Sequence, residues 1–283
     1  MVEHNFGGDW TVLKLDMLKK YLPAFTTALQ NIKPKLVYID AFAGTGSVTF
    51  DDGTAIAGSA RIALETTPAF DEYYFIDLKP EHVSELEKLK AEYPDKAHKM
   101  KIIKADCNEF LAKFCKNPSI KYCRGVLFLD PYSMSVPWST LECIASTKVF
   151  DIWYLFPLSA VNRMLKSDGK LEEFAVDKLN FVLGNTDWRS KFYRSSPQMN
   201  LFNELEDEKK DTQEIVRIWK ERMQDAFPYV YEYPLILRNQ KNSPLFALCF
   251  AISNDAPAPI RLAKKIASDI FSKANNSKIS GKM

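Results

Sequence analysis

Four acids in this chain stand where apolar runs end. "VYIDAFAGTGSVTF" (37–50) runs through apolar and aromatic residues into Asp40, then turns through Ala41, Phe42, Gly44 and Gly46. "EYYFID" ends in Asp77, with Leu78 beside it. "MKIIKADC" ends in Asp106 and Cys107, and "GVLFLDPYS" in Asp130, Pro131 and Tyr132. A glycine pair after a strand lets backbone approach a ligand closely. The third glycine of a dinucleotide fingerprint is missing, because position 49 is Thr49. About a dozen residues also separate the turn from the next helix start at Ser59, so no helix N-terminus stands ready for a pyrophosphate. A nucleoside without phosphates fits better. Asp77 can accept both ribose hydroxyls in charge-assisted hydrogen bonds. Asp106 can accept from an adenine amino group, with Cys107 as an apolar neighbour of the ring. The plainer reading of any strand-end acid is a cap for the following helix, and it weighs most heavily on Asp106.

These acids need a scaffold that brings strand ends together. "DWTVLKLDMLKKYLPAFTTALQ" has Leu15, Leu18, Leu22 and Phe25 at helical spacing, with Asp9 or Thr11 as cap and Pro23 as a kink or division. Buried strands are expected at "KLVYIDAF", 72–77, 100–107, 125–133 and 150–158. Helices are expected between them, including one at "GSARIALETT" capped by Ser59. Residues 47–57 read as a polar loop. Strands alternating with helices imply an α/β, doubly wound, mainly parallel sheet covered on both faces. Ligands bind such sheets at the carboxyl ends of the strands, where all four acids fall. Residues 160–227 change character and read as a helical insertion, or cap, within a single domain spanning 1–283, before the last two strands. The charge run "NELEDEKKDTQEIVRIWKERM" is most simply a solvated helix face. "YVYEYPLIL" and "PLFALCFAIS" restore strand character, "APIRLAKKIASDIFSKA" is a final helix, and the tail 275–283 is expected to fray.

The ordered set "DAFAGTG", Asp77, "ADC" and "LDPY" resembles the class I S-adenosylmethionine-dependent methyltransferases, whose sheet is a seven-stranded Rossmann-like one. The resemblance implies S-adenosylmethionine as cofactor. Its methionine end would meet Asp40 and the Ala41–Gly46 turn, its ribose Asp77 and its adenine Asp106. "LDPYSMSVPW" resembles the Asp/Asn-Pro-Pro-Tyr motif of enzymes that methylate adenine or cytosine amino groups. In that motif the acid and a proline carbonyl accept the target's amino hydrogens, and the aromatic stacks on the base. Asp130, Pro131 and Tyr132 match it, and the second proline is absent. Base flipping would bring a polymeric target to such a pocket. A resemblance over nearly the whole chain is to the three-Cys-motif partner protein family. It is carried by "WTVLKLDMLKKYL", "YIDAFAGTG", "GSARIAL", "LDPYSMSVPWSTLECIAST", "DIWYLFPLSAVNRML" and "PLFALCFAISN". That resemblance implies a bacterial or phage-related methyltransferase-like protein and a cysteine-motif partner protein.

Asn162 and Arg163 follow the fifth strand and can face the cleft, with Arg163 contacting a substrate phosphate or carboxylate or pairing with the insertion. Trp153, Tyr154 and Phe156 read as core rather than as a base platform. "WRSKFYR" (188–194) reads either as a nucleic-acid groove or as a solvated face. Lys+Arg of 38 against Asp+Glu of 36 neither demands nor excludes a nucleic acid. No run of about eighteen apolar residues marks a membrane span, and the first residues show no signal-peptide pattern. Five cysteines without a C-x-x-C pair fit a reduced, cytoplasmic setting and argue against a zinc site. His4, His82 and His98 read as surface residues remote from the motifs. The expected function is methyl transfer to a nucleobase amino nitrogen. The alternatives are a catalytically silent nucleoside-binding subunit and, more weakly, a nicotinamide-dependent oxidoreductase.

Overall fold

Helix α1 (Asp9–Leu29) carries Pro23 inside it without being divided. It buries Leu15, Leu18, Leu22 and Phe25 along one stripe, together with Tyr21. The structure is a computed structural model and describes residues 9–280 except 33, 51, 185–186 and 200–204. The expectations for the first eight residues, His4 included, lie outside the described residues.

The first strand β1 (Lys35–Asp40) leads into a hairpin of β2 (Ser47–Thr49) and β3 (Ala55–Ala57), where a loop is expected from sequence. Then follow α2 (Ser59–Glu65), β4 (Glu72–Asp77), α3 (Pro80–Glu92), β5 (Met100–Lys104) and α4 (Cys107–Phe114). The N-cap of α2 is Gly58, not Ser59, which is its first helical residue. Next come β6 (Cys123–Leu129), α5 (Trp138–Ser146), β7 (Phe150–Phe156), α6 (Leu158–Met164), α7 (Glu173–Leu183) and α8 (Trp188–Phe192). A second hairpin, β8 (Tyr193–Met199) with β9 (Leu205–Lys209), precedes α9 (Thr212–Gln224). The chain closes with β10 (Tyr229–Val230), β11 (Leu235–Arg238), β12 (Pro244–Ile252) and α10 (Pro257–Ser280). The tail expected to fray is therefore helical to Ser280, and 281–283 lie outside the described residues. Strands β5, β6 and β7 stop short of their expected ends, because the chain turns at Asp106, Asp130 and Pro157 to start the next segment.

The sheet runs β5-β4-β1-β6-β7-β12, and β10 and β11 share the last edge position beside β12. Strands β5 through β7 are mutually parallel, and β12 is antiparallel to β7. Helices α1, α2, α3 and α10 pack on one face of the sheet, and α4 to α9 on the other. This is the doubly wound, mainly parallel, seven-position Rossmann-like sheet expected from sequence. The order reverses between β1 and β6, which makes the carboxyl edge of those two strands the topological switch point.

Between α6 and β10 the charged stretch folds as β9 and then α9, so only part of it is helix. Asp211 caps α9 by accepting from the N–H groups of Gln213 and Glu214 at 2.8 and 2.9 Å. The helix is amphipathic and buries Ile215, Val216, Ile218, Trp219 and Met223 against the sheet. Trp219 stacks on Phe156 with centroids 4.2 Å apart. Trp153, Tyr154 and Phe156 are core residues, as read from sequence. Trp188, Phe192 and Tyr193 are also buried, so the "WRSKFYR" segment offers its basic residues without an interleaved aromatic face. Among the described residues no helix is long and apolar enough to cross a membrane.

Candidate functional site

The Ala41–Gly46 turn is held from both sides. Ala41 N–H donates to Phe128 O at 3.1 Å and Ala43 N–H to Ile76 O at 2.9 Å, so β1's pairing continues past its last residue on both neighbours. Gly44 and Gly46 have φ of +60° and +79°, which an L side chain resists. A Cβ on Gly44 would meet nothing within 4 Å, so the backbone faces open space there. Gly58, at the foot of the β2–β3 hairpin, closes onto Gly46 through an N–H to Gly46 O bond of 2.9 Å.

Asp77 organises this turn. Its Oδ2 accepts from Gly44 N–H at 3.0 Å and its Oδ1 from Lys79 N–H at 2.9 Å. His82 Nδ1 lies 3.0 Å from the same Oδ2. The sequence reading of His82 as remote from the motifs is thus corrected: α3 begins just after Asp77, and its first turn swings His82 back over the strand end. Leu78 is exposed beside it.

Asp40 is fully buried, and its Oδ1 has no hydrogen-bond partner among the described residues. Tyr38 hydroxyl donates to Oδ2 at a long 3.4 Å. Burial pushes the Asp40 carboxyl up from 3.8 to about 7. The Ser59 hydroxyl and Phe42 N–H pull it down, Asp130's charge adds to the rise and Lys14 opposes it.

Asp106 realises the plainer reading. It is the N-cap of α4, with Oδ1 accepting from Asn108 N–H at 2.8 Å and Glu109 N–H at 3.2 Å. Both bonds fall on one oxygen. Burial, followed by Asp106's charge, holds the Cys107 thiol up at about 12, so it serves as an apolar wall. Asn108 then reaches the neighbouring loop, donating to Ser135 O and accepting from the Thr140 hydroxyl, each at 3.0 Å.

That loop carries Asp130, Pro131 and Tyr132. Pro131, Met134 and Val136 are buried anchors, while Tyr132 projects at 65% exposure. Lys79 Nζ lies 5.7 Å from its ring centroid. Asp130 Oδ2 accepts from Lys14 Nζ, a lysine only 7% exposed. Sequence reasoning missed Lys14. The signal was present: it stands one turn before Leu18 on the buried stripe of α1, where an ordinary lysine would be costly.

Asn162 and Arg163 sit on α6. The Asn162 carbonyl accepts from Lys209 Nζ at 3.2 Å, and its side lines a separate polar cavity of about 400 Å3 with Arg194, Lys210 and Thr212. Arg163 is exposed. The structure thus brings Asp40, Asp77, Asp106 and Asp130 to one edge of four adjacent strands. It does not tie Asn162 and Arg163 to them.

No family model matches this chain, and no curated protein matches it. Solved structures do. A Legionella pneumophila protein of the DUF519 family superposes with a TM-score of 0.50 at 14% identity, over 94% of this chain and 94% of that one. Spermidine synthase in complex with the transition-state analogue AdoDATO gives 0.44 at 12% identity, over 88% of this chain and 63% of that one. The chain therefore matches less than two thirds of that enzyme's length. Magnesium protoporphyrin IX methyltransferase from Synechocystis, with bound S-adenosylhomocysteine, gives 0.39 at 13% identity over 85% and 84%. The likeness to the Legionella protein is one of fold.

Proposed function

We propose that this chain binds S-adenosylmethionine and transfers its methyl group to an amino nitrogen of a nucleobase in DNA or RNA, together with a three-Cys-motif partner protein. The observation that carries this reading is the row of Asp40 and Asp77 at the ends of β1 and β4 and Asp106 just past the end of β5, around the Gly44–Gly46 turn. The residues present fit such a cofactor. Asp40 offers an orphaned buried oxygen to a cationic donor. Gly44 leaves backbone bare toward open space. Asp77 and Leu78 would meet the ribose, and Asp106, whose Oδ1 takes both helix-cap bonds, would offer Oδ2 to an adenine amino group beside Cys107.

When bound, S-adenosylmethionine supplies a methyl group on a sulfonium, a good leaving group. The protein's work is then proximity and aim. The Asp130 carboxylate and the Pro131 carbonyl would accept the acceptor's amino hydrogens, directing the nitrogen lone pair. Tyr132, exposed at the mouth, would stack on the base. Arg163 and Asn162 would meet the rest of the polymer. Residues 160–227 form an insertion within one methyltransferase-like domain in this reading. Five cysteines that are all free suit the cytoplasm.

A second reading, a catalytically silent nucleoside-binding subunit of a partner complex, is favoured by one observation. The Asp130 carboxylate, which an acceptor amino group would need, already holds Lys14 through Oδ2. Two measurements separate these readings. Calorimetric titration with S-adenosylmethionine and S-adenosylhomocysteine should show micromolar binding that Asp77→Ala weakens at least about tenfold, the loss of one charge-assisted bond pair. Absence of binding by the folded protein, alone and with the partner, refutes both. Transfer of labelled methyl groups to DNA or RNA that Asp130→Ala abolishes supports the enzyme. Cofactor binding without any transfer supports the silent subunit.

A further inference from the structure

We propose that Lys14 is a positioning residue of this site: it holds Asp130 and balances the negative charge that Asp130 presses on Asp40, so that Asp40 can ionise to receive a cation. Only the last step, the identity of that cation as the cofactor, rests on the function proposed above.

The geometry begins in the sheet. Strands β1 and β6 are parallel neighbours with Asp40 opposite Phe128. Side chains alternate along a strand, so Asp130, two residues on, returns toward the same side as Asp40. That side is the one α1 covers, since Tyr38 and Phe128 share a core with Leu15 and Leu18. A negative charge beside a buried carboxyl disfavours its ionisation, and Asp130 acts on Asp40 in this way.

Helix α1 supplies the balancing cation. Lys14 Nζ donates to Asp130 Oδ2 and lies 4.9 Å from the Trp10 ring centroid. Trp10 in turn packs on Phe246 of β12 at 5.0 Å, which fixes the start of the helix. Burying a lysine costs desolvation, and the ion pair with Asp130 offsets it, so the charge of Lys14 is matched to the carboxylate at the end of β6.

The groups that face Asp40 come from every element around it. They are the Tyr38 hydroxyl from its own strand, the Phe42 N–H from the turn, Ser59 from α2, Asp130 from the end of β6 and Lys14 from α1. Lys14 is the cation in that set. Removing its charge leaves Asp130 unbalanced beside a buried acid, and the sign of the effect follows: Asp40 must hold its proton to higher pH. Burial has already placed Asp40 near neutrality, so the change falls in an accessible range.

The test needs no ligand for its first arm. Carboxyl carbons of aspartate-labelled protein are titrated by NMR from acid to mildly alkaline pH in the wild type, K14Q, K14M and K14R. K14Q keeps a hydrogen-bond donor for Asp130 and removes the charge. The Asp40 midpoint should rise in K14Q and K14M by about one pH unit, a tenfold tighter proton, and return close to wild type in K14R. A folded K14Q protein whose Asp40 midpoint stays at the wild-type value overturns the proposal. In the second arm, S-adenosylmethionine is titrated calorimetrically over the same range. Binding that strengthens through each variant's Asp40 midpoint assigns the cation to the cofactor. A midpoint that moves as expected in a protein that binds no S-adenosylmethionine upholds the role of Lys14 and refutes the proposed function instead.

Discussion

Replacing Asp40 by Asn should stabilise the unliganded protein, and by an amount that grows with pH. The carboxyl is fully buried, one of its oxygens is without a partner, and burial holds it at about 7 against 3.8 for the free group. The folded value is raised, so the sign is fixed by linkage. Folding favours the protonated acid, its contribution is fully present below the unfolded value, and it is lost as pH rises toward the folded one. At about 1.4 kcal/mol per pH unit, a displacement of about three units is worth roughly 4 kcal/mol once both states are ionised. Asn cannot ionise and escapes that cost. The stability difference between Asp40→Asn and wild type should be small at pH 4, grow between pH 4 and 7, and level off by pH 8. Urea unfolding of both proteins at several pH values reads this directly, because groups common to both cancel in the difference. A difference that does not change with pH refutes the reasoning. On the proposed function the same substitution should also weaken S-adenosylmethionine binding, because the carboxylate that the cofactor's ammonium would meet is gone.

Two further substitutions probe the scaffold around the site. In Gly58→Ala the new Cβ would stand 2.8 Å from the Gly46 carbonyl carbon and 2.9 Å from its oxygen, backbone atoms that cannot move alone. Chemical denaturation should show a loss of about 1–3 kcal/mol, typical of overpacking, with weaker cofactor binding as the turn shifts. Trp219→Ala should cost about 3–5 kcal/mol by urea unfolding, because the ring is fully buried and stacks on Phe156. Trp219→Phe should recover most of that loss, and failure to do so would show that the stacking is not what holds α9 to the sheet.

The local sequence determined the sheet, because its strands are short apolar runs and the helices between them carry their own 3.6-residue stripes. The acids at the ends of β1, β4 and β6 and the positive-φ glycines could be read for the same reason: each is a break in a local pattern. Strand order, and with it the placing of Asp40 beside Asp130 at the switch point, is decided by which strands pair in the folded sheet, since the same alternation of elements is compatible with other orders. What local pattern could not reach was the partner across a fold. Lys14 and Asp130 are 116 residues apart, and only the packing of α1 on β1 and β6 makes them an ion pair. His82 became a neighbour of Asp77 through the angle at which α3 leaves β4. Residues 47–57 are polar enough to read as loop, and it took the closure of Gly58 on Gly46 to fold them as a hairpin. The charged run after position 203 hid a strand, because Leu205–Lys209 is charged at every position after its leucine and shows no apolar alternation. Burial is the physical reason in each case: a carboxylate's ionisation, or a lysine's choice of partner, is set by what surrounds it in space, and that is a property of the tertiary structure.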